Sequence, residues 1–246
     1  MIKFVQLVDL NLDELSGSLF ITGFQGFGLV GYLSTRHIIR ELRLEKIGFI
    51  KTRYLPEVTL YTRDYGLQYP FEVYAGKIQS RPIVVVLHNS TPVERERTLY
   101  SEFLALFAKQ LQVDEVVLVG GLSQELREDP TERYRWIPIN DTHIEVLSNA
   151  KILEEKHVIG PLALTMMFMQ AHRLRGVVIL PFTEPFRPDP RASAIAVEVI
   201  SQILGVKIDV QKLMEEAALI EAIEAEREKM EKAIEEAEKK TRLTYI

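Results

Sequence analysis

Cysteine is absent from the 246 residues. Disulfide scaffolding, thiol catalysis and Cys-ligated metal are thereby excluded, and the chain is indifferent to the redox state of its compartment. No apolar run approaches the roughly eighteen residues that a bilayer span requires. The first ten residues carry Lys3 and Asp9 and lack both the apolar stretch and the small-residue cleavage site of a signal peptide, so a cytoplasmic protein without a membrane partner is expected. A basic excess is missing too: 30 Lys and Arg stand against 35 Asp and Glu, for a formal net charge of -5. Without a stripe to neutralise phosphates, nucleic acid is not an expected partner.

Signatures of chemistry are equally scarce. There is no G-x-x-x-x-G-K-[ST] loop, no H-E-x-x-H pair and no G-x-S-x-G elbow. His37, His88, His143, His157 and His172 are scattered, without local metal-ligand spacing. No catalytic residue, metal site or cofactor is expected from them. Acidic pairs such as Glu154 with Glu155 and Glu235 with Glu236 lie in charged surroundings that keep them ionised.

What is present is a core. Hydrophobic residues make up 47% of the chain, enough for one sizeable domain. Apolar, β-branched runs at 19–22, 47–50, 58–61, 71–75, 83–87, 116–119 and 177–180 read as strands, several too continuously apolar for a sheet with one wet face. Segments 29–42, 93–111, 162–174 and 192–204 have helical spacing. The spacing predicts an α/β fold, a three-layer α/β/α body with helices on both faces of a mainly parallel or mixed sheet. Thr91, Pro92 and Glu94 read as a capping box, and Asp189 with Pro190 repeats a cap-then-proline start before Arg191. Trp136 reads as a strand or edge residue placed in core or interface.

From residue 209 the character changes. Glu, Ala and Lys dominate 212–240, with no glycine or proline, so the expected organisation is a body at 1–208, a charged amphipathic helix at 209–240 and a short tail at 241–246. Leu213, Ile220, Ile223, Met230, Ile234 and Ala237 fall on alternating positions of a seven-residue repeat, interrupted by Glu216 and Arg227. The preferred reading is association with sister chains, more than two in number; the alternative is a helix packed on its own body.

One fingerprint points elsewhere. Gly26, Gly28 and Gly31 spell G-x-G-x-x-G after a strand and at the opening of a helix, where backbone amides and the helix dipole hold a pyrophosphate in dinucleotide enzymes. The acidic residue that should take the ribose is missing; Ile50, Lys51, Thr52 and Arg53 stand there, of which Lys51 or Arg53 could meet a 2′-phosphate. A nucleotide- or phosphate-binding enzyme using this turn is the alternative function. Phe24 and Phe27 beside the glycines suit a packed or partner-facing turn better. His88, Asn89 and Ser90, and Gly120, Gly121 and Ser123, also follow strands at positions favoured for ligand contacts.

Taken in order, the Gly23-Phe-Gln-Gly-Phe-Gly-Leu-Val-Gly31 string, the Gly120-Gly121 turn, the run from Gly176 to Leu180 and Pro188-Asp-Pro-Arg-Ala192 resemble the proteasome assembly chaperone family, in its archaeal, PbaB-like form, over roughly residues 1–220. The resemblance implies a phosphorylase/hydrolase-like fold without its active site. It further implies an ATP-independent chaperone or adaptor that self-assembles, as a tetramer or pentamer, and binds proteasome α subunits or the α ring, with unfolded chains as further clients. It directs attention to Leu243, Thr244, Tyr245 and Ile246, similar to the hydrophobic-tyrosine-any ending with which proteasome activators dock; Thr244 departs from that pattern, where a larger hydrophobic residue is usual.

Overall fold

The computed structural model describes residues 2–142, 144, 147, 149–223 and 226. Its strands are β1 (Lys3–Gln6), β2 (Leu19–Gly23), β3 (Glu45–Lys51), β4 (Leu60–Thr62), β5 (Gly66–Gln68), β6 (Phe71–Ile78), β7 (Arg81–His88), β8 (Glu115–Val119), β9 (Leu122–Ser123), β10 (Tyr134–Ile139) and β11 (Gly176–Thr183). The helices are α1 (Val30–Glu41), α2 (Arg97–Gln110), α3 (Gly160–Ala171), α4 (Pro190–Leu204) and α5 (211–223).

Among the described residues the main sheet runs β1-β3-β6-β7-β2-β8-β11-β10, with β9 beside β11. The middle four strands, β7, β2, β8 and β11, are mutually parallel. The outer strands are antiparallel to their neighbours on both sides. Every residue of β2, β8 and β11 is buried, as continuous apolar runs demand when helices cover both faces. Phe20, Val84, Leu118 and Val178 face α2 and α3. Alternate residues Ile21, Val85, Val117 and Ile179 face α1 and α4. The sheet is therefore mixed and the body three-layered, as the sequence predicts.

Segment 58–61 overlaps β4, but β4 pairs only with β5 in a separate, exposed hairpin. Lys46, on β3, fastens that hairpin: its ammonium donates to the carbonyls of Tyr65 (3.1 Å) and Leu67 (2.8 Å) and lies 2.6 Å from Oε1 of the buried Glu72. Glu72 also accepts from the Tyr69 amide, the Tyr74 hydroxyl and the Asn89 side chain, so its carboxylate is fully engaged. Burial, followed by the charge of Glu72, pushes the Tyr74 hydroxyl pKa far above its ordinary value.

At the far rim, β10 lies along β11 and carries Trp136, whose amide donates to the Lys151 carbonyl (3.2 Å) and whose carbonyl accepts from the Leu153 amide (2.8 Å). Pro138 follows two residues later on the same strand.

The capping box expected at Thr91 does not form. Val93 is extended, Glu94–Glu96 make a 3-10 turn, and α2 starts at Arg97 without a side-chain cap. Pro92 is buried against the body, which explains why the chain is still descending there, and the buried Glu96 carboxylate instead accepts from the amides of Arg53 (2.9 Å) and Tyr54 (3.1 Å). At α4 the expectation holds: Asp189 accepts from the Ala192 amide (2.8 Å), with Pro190 as the first helical residue.

The charged C-terminal segment begins inside the body. Leu213 is 2% exposed and shares the core with Ile208, α1 and α4, joined by the buried Ala217. Leu213, expected at an oligomerisation seam, is thus taken up within its own chain, because Val210 to Ala217 presents an apolar face that α1 and α4 leave open. The His37 ring donates to the Asp209 carbonyl (2.6 Å), Lys212 pairs with Glu41 and Arg191 grips Glu221 with two donors. The outer face of the helix has no such cover: Leu219 is 63% and Ile223 59% exposed. Met230 and Ile234 lie outside the described residues, as do Leu243, Thr244, Tyr245 and Ile246.

Candidate functional site

The glycine-rich turn, the Gly120-Gly121 turn and the Pro188-Asp-Pro string, far apart in sequence, meet at the carboxyl ends of β2, β8 and β11. Gly28, in a left-handed conformation (φ 61°), donates its amide to the Pro185 carbonyl (3.2 Å) and accepts at its own carbonyl from the Asp189 amide (2.8 Å). A Cβ at Gly28 would fall 2.1 Å from Oγ1 of Thr183, whose hydroxyl donates to Oδ2 of Asp189 (2.8 Å). Asp189 thereby caps α4, binds Thr183 and holds the turn at once. A Cβ at Gly121 would fall 2.4 Å from the Phe27 carbonyl, and one at Gly31 2.6 Å from the Val119 carbonyl, so both glycines permit close backbone approach.

This geometry answers the dinucleotide fingerprint. Backbone amides that would cradle a pyrophosphate are spent inside the protein: Gly26 donates to Phe24 (2.9 Å), Leu29 to Gly26 (3.0 Å) and Gly28 to Pro185. The chain enters α1 through Leu29 in a left-handed conformation with no side-chain cap. Gly26 has nothing within 4 Å of an added Cβ, so the first glycine of the motif has no steric reason to be one. Arg53 stacks on Tyr54 and serves a different groove.

His88 ends β7 fully buried. The Gly23 carbonyl can only accept, so His88 Nδ1 carries the proton toward it (3.0 Å) and Nε2 accepts from the Tyr100 hydroxyl (2.9 Å). Burial pushes the imidazole pKa down to about 3, and the ring is neutral at physiological pH. Its role is to hold the end of β2 against α2, with the Phe24 ring tilted against it at 4.2 Å between ring centres. Asn89 donates to Tyr69 and Glu72, and Ser90 donates its amide to Pro70; neither Ser90 nor Thr91 caps α2.

Between the two glycine turns lies a cavity of about 280 Å³. Its position suits a ligand site: β2 and β8 are adjacent, but the helices that follow them, α1 and α3, lie on opposite faces of the sheet. Its walls are Phe24, Phe27, Val119, Leu122, Leu162 and Leu180 among others. Of the polar side chains in the wall, Gln25 donates to the Asn89 carbonyl and Ser123 accepts from the Glu125 amide; His157 is exposed. No three His, Asp or Glu among the described residues could hold a metal ion. The arrangement can receive an apolar group but pairs no nucleophile with a base.

Thr183 and Pro185 escape a motif search because Gly28, which both of them meet, is more than 150 residues away. No local signal marks them, because their contact with Gly28 exists only in the folded body.

The sequence signature of the PAC2 family matches residues 20–228. The chain belongs to the PAC2 family. A relative from Methanocaldococcus jannaschii, itself described as uncharacterized, is 23% identical over 223 residues, which is 90% of each chain. PbaA of Pyrococcus furiosus, described as an archaeal homolog of proteasome-assembly chaperone, superposes with a TM-score of 0.79 at 24% identity, covering 100% of this chain and 99% of that one. PbaB from the same organism, described as an archaeal proteasome activator, gives 0.77 at 19%, covering 92% and 98%. At these identities the likeness is one of fold, and it extends the PAC2 architecture over the sheet, its four covering helices and the start of α5.

Proposed function

We propose that this PAC2 protein is an ATP-independent proteasome-assembly chaperone or adaptor: a self-associating binding protein that presents residues 243–246 to proteasome α subunits or their ring. The observation that carries this reading is the behaviour of α5. It is held to the body through Leu213, Ala217 and the Arg191–Glu221 pair, and carries Leu219 and Ile223 exposed on its outer face. A helix so anchored suits the delivery of a docking segment, with Tyr245 as its aromatic anchor. The names given to PbaA and PbaB, together with PAC2 membership, support the proteasome as the class of partner. The spent amides of the glycine turn and the neutral, enclosed His88 favour binding over catalysis.

Several copies of a weak tail, weakened here by Thr244, gain from effective concentration when carried on one oligomer. The test is surface plasmon resonance on an immobilised archaeal α-subunit ring, comparing the full chain, a chain lacking residues 243–246, and Tyr245→Ala. Loss of binding in both variants supports tail docking; equal binding by all three moves the contact to the body; no binding by any removes the α ring as partner.

A further inference from the structure

The α2 helix is apolar on two sides. Tyr100, Leu104, Phe107 and Leu111 point into the core. Leu99, Phe103 and Leu106, at i, i+4 and i+7, form a second stripe on the outer side, with Leu99 59% and Leu106 46% exposed. A surface helix ordinarily carries one apolar face, and a second one calls for a partner. This stripe floors a groove of about 530 Å³ between α2 and the loop after β3, with Ile2 and Tyr54 on the opposite wall.

The charges at one end of this groove are unbalanced. The Arg95 guanidinium lies 3.3 Å from the centre of the Tyr54 ring and that of Arg53 lies 5.3 Å from it. Among the described residues neither guanidinium has a carboxylate partner. The groove's own acids do not supply one: Glu96 is engaged by the amides of Arg53 and Tyr54, and Glu102 stands alone against two cations. An occupant with apolar side chains at helical spacing and a surplus of carboxylates is what these walls recognise.

The chain carries such a segment. Leu219 and Ile223, four residues apart, are exposed on α5, and from Glu215 to Glu238 ten glutamates stand against Arg227, Lys229 and Lys232. It cannot reach its own groove at α5, because α5 packs with α1 and α4 while α2 covers the opposite face of the sheet. We propose that the α2 groove receives the acidic helix of a second copy of this chain, with Leu219 and Ile223 on the Leu99–Phe103–Leu106 stripe and glutamates on Arg53 and Arg95. Donor and acceptor surfaces differ, so two copies can exchange helices reciprocally, and one-way, head-to-tail repetition gives a ring where the rotation closes. The inference rests on the self-association proposed above and names the surface that performs it.

Sedimentation velocity on the full chain and two variant sets tests it. One set is Arg53→Glu/Arg95→Glu with Leu106→Asp in the groove; the other is Leu219→Asp/Ile223→Asp on the helix. Circular dichroism melting confirms that each folds. Both sets are expected to weaken association at least tenfold, and an equimolar mixture of the two to form a dimer and stop there, since one intact groove meets one intact helix. Dissociation by the helix variants alone would overturn the groove while leaving self-association through helix-to-helix packing. Persistence of the oligomer in both sets would overturn the inference entirely, and a monomeric wild-type chain would remove the self-association reading with it, whatever the α-ring binding shows.

Discussion

Gly23 at the end of β2 and Gly31 in the first turn of α1 stand at backbone contact: a Cβ built on Gly23 would lie 2.6 Å from the Cα of Gly31. The same turn leaves open space around Gly26. Packing and phosphate cradling therefore make opposite demands on the two ends of the motif.

Gly31→Ala is expected to cost about 3 kcal/mol, the upper end of the usual range for forcing a methyl into a packed site, or to abolish folding, since the obstacles are backbone atoms that cannot turn aside. Gly26→Ala should remain within about 0.5 kcal/mol of wild type, as surface substitutions do. Urea denaturation midpoints of the two variants decide the matter; a large loss at Gly26 would mean that the turn is as constrained there as at Gly31.

Acid should act through His88 first. Unfolded, the imidazole titrates near 6.5; folded, burial holds it to about 3. Between those values the unfolded chain takes up a proton that the folded chain refuses, so stability is full above about pH 6.5 and falls as pH drops toward 3. From pH 7 to pH 5 the expected loss is about 2 kcal/mol by linkage. His88→Gln should flatten that window. Glu132, drawn down to about 2 by hydrogen bonds from Lys151 and Arg135, contributes stability above its unfolded value of 4.5 that is lost as pH falls below it. Denaturation curves at pH 7, 5 and 3 separate the two.

Lys46 and Glu72 make a pair that tolerates joint replacement better than single loss. Lys46→Met leaves a buried carboxylate without its cation, for which about 3–5 kcal/mol is the usual cost, and releases the carbonyls of Tyr65 and Leu67. Hydrogen exchange in β4 and β5 should rise. Lys46→Met/Glu72→Gln should recover part of the loss, and a double-mutant cycle reads the coupling directly.

Along α5 a step in sensitivity is expected between Ala217 and Leu219. Leu213→Ala removes a buried side chain and should cost about 2–4 kcal/mol. Leu219→Ser, at a side chain with no cover from its own body, should leave the melting temperature unchanged. Equal effects at the two positions, measured by thermal melting of dilute protein, would mean that α5 packs differently along its length.

The central strands were legible because burial on both faces leaves a continuous apolar run, and 83–87, 116–119 and 177–180 read as strands on that ground alone. β1, with Lys3 and Gln6 at its ends, carries no such run and was missed; β5 is three residues long with a glycine. The Thr91 capping box was misread because residue types alone do not reveal that Pro92 is buried, which delays α2 to Arg97. Leu213 was read into a seven-residue repeat to which it conforms, and only the apolar face left open by α1 and α4 claims it for the core. The convergence of Gly28 with Thr183 and Asp189 depends on contacts across the whole body, and no local pattern announces them.

The two rims of the sheet have a bearing on how the protein survives at high concentration. On β10 the outward amide of Trp136 is taken by Lys151, and two residues on, where the alternation of a strand again points the nitrogen outward, Pro138 has no hydrogen to give. The other rim, β1, offers four residues beginning with an exposed lysine. Neither border templates a foreign strand, so edge-to-edge aggregation is blunted from both sides, and orderly growth of any assembly is left to the helices.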